Sequence, residues 1–268
     1  MSCLFVGWMG FFFSAPVSGQ SQRIAPRADG TLADGGVYGP FDGTADAADW
    51  FFNGAGFEGA ITLQSGNQAG TGLEHRVVFE YDLSRITVTP LRSIILEVTL
   101  RGAPVFPMPP ADVAVGTYAA DLLESLSDFS IPCERVLRVL HVDPFQPPTA
   151  YRVNLTLMVL EALADGRDTV GIRLQMAPNE EAEFRQAFLD ASDSTPSTKP
   201  ALVLSGALLG DGDGDGVLSL SDHLGLLACL TGPGVPVQAA CRVFDLDLDG
   251  DVDLFDQAFL EAYRAMVP

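Results

Sequence analysis

The sequence predicts a multidomain chain: a β-rich antiparallel sandwich followed by a small helical unit built around two acidic loops. Short apolar or alternating runs recur between residues 76 and 204, rich in Val, Ile, Leu and Phe and bounded by Pro, Gly, Asp or Ser. Strands of an antiparallel sandwich are written this way. Helical periodicity is poor across most of the same span. After residue 210 the pattern changes: Asp recurs at alternate positions in two segments, each followed by an apolar stretch of helical length.

The elements follow in chain order. Residues 1–13, MSCLFVGWMGFFF, carry no charge and precede small residues up to Gly19. That run is too short to span a bilayer and suits the apolar region of a signal peptide, residues 1–19, although the usual basic start is missing and the first basic residue is Arg23. The expected product is secreted or held at the cell surface. No other apolar run approaches the length of a membrane helix, so no membrane insertion is expected after cleavage.

Residues 28–49 are rich in Gly, Asp and Ala and predict turns and loops. An aromatic cluster, Trp50, Phe51, Phe52 and Phe57, follows. Strands are expected at residues 76–81, 94–100, 113–118, 136–142, 151–155, 170–176, 184–189 and 201–204. Between them, residues 157–164 (LMVLEALA) predict a short helix, with Asn154 or Thr156 to cap it and Gly166 to stop it. Residues 121–129 predict a helical turn, and the Ser/Thr/Pro-rich residues 193–200 an exposed loop. The boundary is placed after residue 205, giving a sandwich over 20–205 and a second unit over 206–268.

Charge narrows the function. The chain has 35 acidic and 15 basic side chains, a net of −20. Nucleic acid and anionic membranes require clustered Lys and Arg, so neither is an expected partner. From residue 206 onward eleven acids face two basic residues, Arg242 and Arg264. Of the four cysteines, Cys3 would leave with the signal and Cys133 stands alone. Cys229 and Cys241 bracket a Gly/Pro-rich turn and are expected to form a disulfide in an exported protein. His75, His141 and His223 are isolated, which gives no zinc pattern, and His75 is expected at the surface.

Residues 211–222 read DGDGDGVLSLSD. A calcium loop of the EF-hand type needs oxygen ligands at positions 1, 3, 5, 9 and 12, a carbonyl at 7 and Gly at 6. Asp211, Asp213, Asp215, the Val217 carbonyl, Ser219 and Asp222 fill these places, with Gly216 at the turn. Thirty-four residues on, at 245–256, the pattern returns with Asp245, Asp247, Asp249, the Asp251 carbonyl, Asp253 and Asp256, and with Gly250 at the turn. Two Ca²⁺ ions are the expected cofactors, because a hard cation selects clustered oxygens.

Two such loops with Asp at position 12, each followed by a helix, resemble a type I dockerin module. The helices are expected at residues 223–230 and 257–266. The resemblance implies docking onto a cohesin-like or other surface protein, with loop positions 10 and 11 choosing the partner. Those positions hold Leu220, Ser221, Leu254 and Phe255, where the best-known dockerins have Ser/Thr pairs.

The longer N-terminal part carries RVVFEYDLSRI from Arg76, the strand at 94–100, YRVNLTLMVLEAL from Tyr151, GIRL from Gly171 and KPALVL from Lys199. In that order they resemble DNRLRE-type domains, which implies a jelly-roll-like sandwich related to carbohydrate-binding modules. Trp50, Phe51, Phe52 and Phe57 are then the candidate platform for stacking on sugar rings. No catalytic motif is found: Glu58, Glu74, Glu80, Glu97, Asp112 and Glu183 are candidate glycosidase carboxylates without a local signature. The expected function is a non-catalytic secreted protein whose acidic unit tethers the sandwich to a protein or to a polysaccharide-degrading assembly. The alternatives are an adhesive surface protein without a sugar ligand and, last, a polysaccharide hydrolase.

Overall fold

The computed structural model describes residues 20–35, 50–52, 60–68, 71–101, 111–123, 125–142, 149–176, 185–190 and 199–267. The expected signal peptide, Phe57, Glu58, Glu183 and residues 193–198 of the expected loop lie outside them.

Twelve strands form in chain order: β1 (Ser21–Ile24), β2 (Ala28–Gly35), β3 (Trp50–Phe52), β4 (Ala60–Gln68), β5 (Thr71–Asp82), β6 (Ser93–Arg101), β7 (Ala111–Tyr118), β8 (Arg135–Val142), β9 (Thr149–Asn154), β10 (Thr169–Met176), β11 (Arg185–Asp190) and β12 (Ala201–Ser205). All described pairings are antiparallel. One layer runs β1, β12, β6, β9. The other runs β3, β2, β5, β10, β7, β8. On the edge of β5 opposite β2, β10 covers residues 77–82 and β4 covers residues 71–75. β11 pairs with both β4 and β6, so hydrogen bonding continues from one layer into the other.

Alternation explains the core. Val77, Phe79 and Tyr81 of β5, Leu96 and Val98 of β6, Val113 and Val115 of β7, Ile172 and Leu174 of β10, and Leu202 and Leu204 of β12 point into one apolar cluster. The intervening Val78 of β5 faces the other way, into a smaller cluster with Leu32, Tyr118 and Phe129. A 3-10 turn, Leu126–Phe129, brings Phe129 to that outer face, where the Arg76 guanidinium lies 3.8 Å from its ring centroid. The helix α1 (Thr156–Ala164) follows β9 and buries Val159 and Ala162 in the main core. It ends at Asp165, and Gly166 continues with φ +76°.

Each of the strands expected from residue 76 onward forms. β2 runs against the expectation, crossing residues read as loops, while β1, β3 and β4 form where no strand was expected. Gly and Asp disfavour strands in isolation, but β2 is held along one edge by an eight-residue register against β5, from Ala28 to Gly35. His75, expected at the surface, is buried at 6% exposure. Burial lowers its pKa to about 4, so the ring is neutral in the fold.

After β12 the described chain contains no further strand. Two helices, α2 (Leu220–Cys229) and α3 (Leu254–Met266), and a 3-10 stretch, Ala239–Phe244, enclose a separate cluster of Leu226, Phe244, Leu246, Val252 and Leu260. The expected Cys229–Cys241 disulfide is formed. Phe244 fits because two glycines face it. A Cβ on Gly212 would stand 2.4 Å from its ring, and one on Gly225, inside α2, 2.7 Å.

Candidate metal centre

Residues 211–222 and 245–256 fold as two copies of one design. At position 12 the Asp222 carboxylate accepts from Gly212 N at 2.8 Å and from Ser219 N at 2.7 Å. Asp256 repeats this with Leu246 N at 2.5 Å and Asp253 N at 2.8 Å. Position 12 therefore ties the start of each loop to its end. The position 3 carboxylates, Asp213 and Asp247, accept from the N–H two residues on, and the position 5 carboxylates, Asp215 and Asp249, do the same.

Backbone conformation repeats as well. Position 6 is left-handed in both loops, Gly216 at φ +84° and Gly250 at φ +97°, with open space where a Cβ would go. Glycine is needed there for conformation rather than for room. Position 4 is also left-handed, Gly214 at φ +74° but Leu248 at φ +65°, so the second loop holds a leucine in a strained region.

Both helices begin three residues earlier than expected, at Leu220 and Leu254. The reason is the cap: Ser219 Oγ accepts from Ser221 N at 3.0 Å, and Asp253 Oδ1 accepts from Phe255 N at 2.7 Å. Asp222 and Asp256 stand at the third helical position and complete capping boxes. The last three loop residues are thus the first helical turn.

Carboxylate oxygens come together in three groups, each within 4.8 Å: Asp211, Asp213 and Asp222; Asp245, Asp247 and Asp256; and Asp251, Asp253 and Asp256. These groups could hold a metal ion. Asp215 and Asp249 belong to none of them, and the Val217 side chain points to solvent. Spacing assigns Asp251 only a carbonyl, whereas the fold buries its side chain beside Asp253 and Asp256. Asp222, Asp251, Asp253 and Asp256 are all buried. Like charges at such separations repel by roughly 3 kcal/mol per pair at an effective dielectric of about 20. Burial raises the pKa of Asp256, against the lowering effect of its backbone hydrogen bonds.

No family model matches the chain, and no curated protein matches it. Among solved structures, an isomalto-dextranase of Arthrobacter globiformis T6 complexed with panose aligns over 66% of this chain and 33% of its own, at 10% identity and a TM-score of 0.21. The chain thus spans about a third of that structure. An alignment this loose bears on neither fold nor function.

Elsewhere, the four candidate carboxylates of the β-rich part that lie among the described residues have protein partners. Glu74 pairs with Arg76, Glu97 with Arg23 and Arg152, and Asp112 with His141, while buried Glu80 accepts from Tyr118 Oη at 2.8 Å. Burial raises the Glu80 pKa. The backbone of Trp50, Phe51 and Phe52 forms β3, and Phe57 lies outside the described residues, so their suggested platform is not described. Leu220, Ser221, Leu254 and Phe255 are exposed, Phe255 at 73%. Among the described residues no helix is long and apolar enough to cross a membrane. A disulfide fits an oxidising compartment.

Proposed function

We propose that residues 206–268 form a dockerin-like unit that binds two Ca²⁺ ions and tethers an exported, non-catalytic β-rich domain to a cohesin-like or other surface protein. The observation that carries this is the repeated stitch through Asp222 and Asp256, which draws each loop around oxygen donors alone. Such a donor set, without nitrogen or thiolate ligands, suits a hard cation that accepts six to eight oxygens at irregular angles. Calcium would relieve the repulsion between buried carboxylates and so contribute to folding of a unit whose apolar core is small.

Partner docking draws support from Leu220, Leu254 and Phe255, large apolar side chains held out in the first turns of α2 and α3. The β-rich part would then be the cargo, a jelly-roll-like sandwich of DNRLRE type.

Calorimetric titration of the full-length, calcium-free protein tests the reading. Two ions should bind per chain, with one lost in Asp211→Ala and the other in Asp245→Ala. Absence of binding at millimolar calcium would refute it.

A further inference from the structure

We infer that the two loops are unequal: residues 245–256 form the tighter calcium site, held ready by the β-rich domain, and residues 211–222 form a weaker, exchanging one. This rests on the calcium reading above. The second loop carries six aspartates, Asp245, Asp247, Asp249, Asp251, Asp253 and Asp256, against four in the first. Its position 7, 9 and 12 carboxylates are all buried. In the first loop Val217 at position 7 is exposed, Ser219 at position 9 is half-buried, and only Asp222 is buried. Ligand charge and rigidity are the two variables that set affinity in such loops.

An orphaned carboxylate oxygen marks the second site. Asp251, which belongs to the group formed with Asp253 and Asp256, is 5% exposed; its Oδ2 accepts from Gly234 N at 2.5 Å, while Oδ1 is buried without a hydrogen bond. A buried carboxylate oxygen left without a donor is destabilising unless a cation meets it.

Rigidity has two sources outside the loop. The disulfide-closed connector returns onto it through Val237 N to Gly250 O at 2.7 Å and Thr231 N to Val252 O at 3.0 Å. The β-rich domain reaches it directly. Asn154, at the end of β9, donates from Nδ2 to Leu246 O at 2.6 Å, while its Oδ1 is fixed by Thr156 N and Thr156 Oγ1. Leu246 N in turn donates to Asp256. One buried chain of hydrogen bonds therefore runs from the sandwich to the position 12 carboxylate. In the first loop, the carboxylates of Asp211, Asp213, Asp215 and Asp222 accept from donors within residues 211–222. A site organised before binding loses less free energy to ordering.

The test is stepwise calcium titration of the full-length apo protein, by calorimetry and by amide NMR of the two position 6 glycines. Gly250 should respond before Gly216. The first, tighter step should vanish in Asp253→Asn, which keeps a capping side chain, and should persist in Asp213→Asn. Asn154→Ala should weaken the first step about five- to tenfold and leave the second unchanged. Simultaneous response of the two glycines, or Gly216 first, would overturn the inference in the unmodified protein while leaving calcium binding intact. No binding at all would overturn the calcium reading itself, and this inference with it.

Discussion

Gly171 lacks a side chain because the Tyr118 ring fills the space it would need. The two residues are directly paired across β10 and β7, and a Cβ would stand 2.4 Å from the ring. Tyr118 cannot retreat easily, since its hydroxyl is bonded to buried Glu80. Gly171→Ala should therefore cost about 1–3 kcal/mol and lower the Tm by several degrees in a thermal melt. An unchanged Tm would show that the ring has room to move. His75 makes a second prediction. Its folded pKa of about 4 lies below the ordinary value of 6.5, so between those values the unfolded chain binds the extra proton. Its contribution is complete above pH 6.5 and is lost as the pH falls toward 4, on the order of 3 kcal/mol in all. His75→Leu should raise the Tm more at pH 4.5 than at pH 7.5; equal shifts would place the imidazole in contact with water. At this scale the loop aspartates were legible, because ligand spacing is a local pattern. His75, the Tyr118–Gly171 contact and the Asp251 carboxylate were not, since each depends on a neighbour distant in sequence.

Elements were legible where period and composition agreed. β5 to β12 contain short apolar or alternating runs rich in Val, Ile, Leu and Phe, and α1 reads as an uninterrupted helical stretch before Asp165-Gly166. β2 was hidden because its composition resembles turns, and pairing with β5 makes it a strand; β1 and β3 are too short to show a period and are strands through pairing with β12 and β2. The early starts of α2 and α3 were hidden for a different reason: the same aspartates that suit a metal also satisfy a capping box. The Cys229–Cys241 bridge links the end of α2 to the 3-10 stretch that carries Phe244 into the core of the C-terminal unit. Closing a loop of 12 residues removes unfolded-state entropy worth about 3 kcal/mol in the chain-entropy description. Replacing both cysteines with serine should lower the stability of this unit by about that amount in urea, at saturating calcium. A loss confined to a few tenths would mean that the helices and loops order the connector unaided.

On the scale of the whole molecule, composition separated an acidic C-terminal unit from a β-rich body, but not how the two meet. They meet through specific bonds: Asn154 to Leu246 O, and Tyr263 Oη to Arg92 O at 2.5 Å. Tyr263 is fully buried, and burial pushes its pKa up to about 12. No sequence pattern marks such contacts, which join residues 92 and 171 positions apart. If calcium completes the C-terminal unit, ion binding in residues 245–256 steadies not only the loops but also the seam along β9 and α1. Hydrogen exchange of the intact protein, with calcium and then with a chelator, measures this most directly. Calcium should slow exchange across residues 211–222 and 245–256 and, to a smaller extent, at residues 154–160 beside the seam. Identical exchange under both conditions would contradict a structural role for calcium and leave the acidic repeats as a self-sufficient fold without a metal.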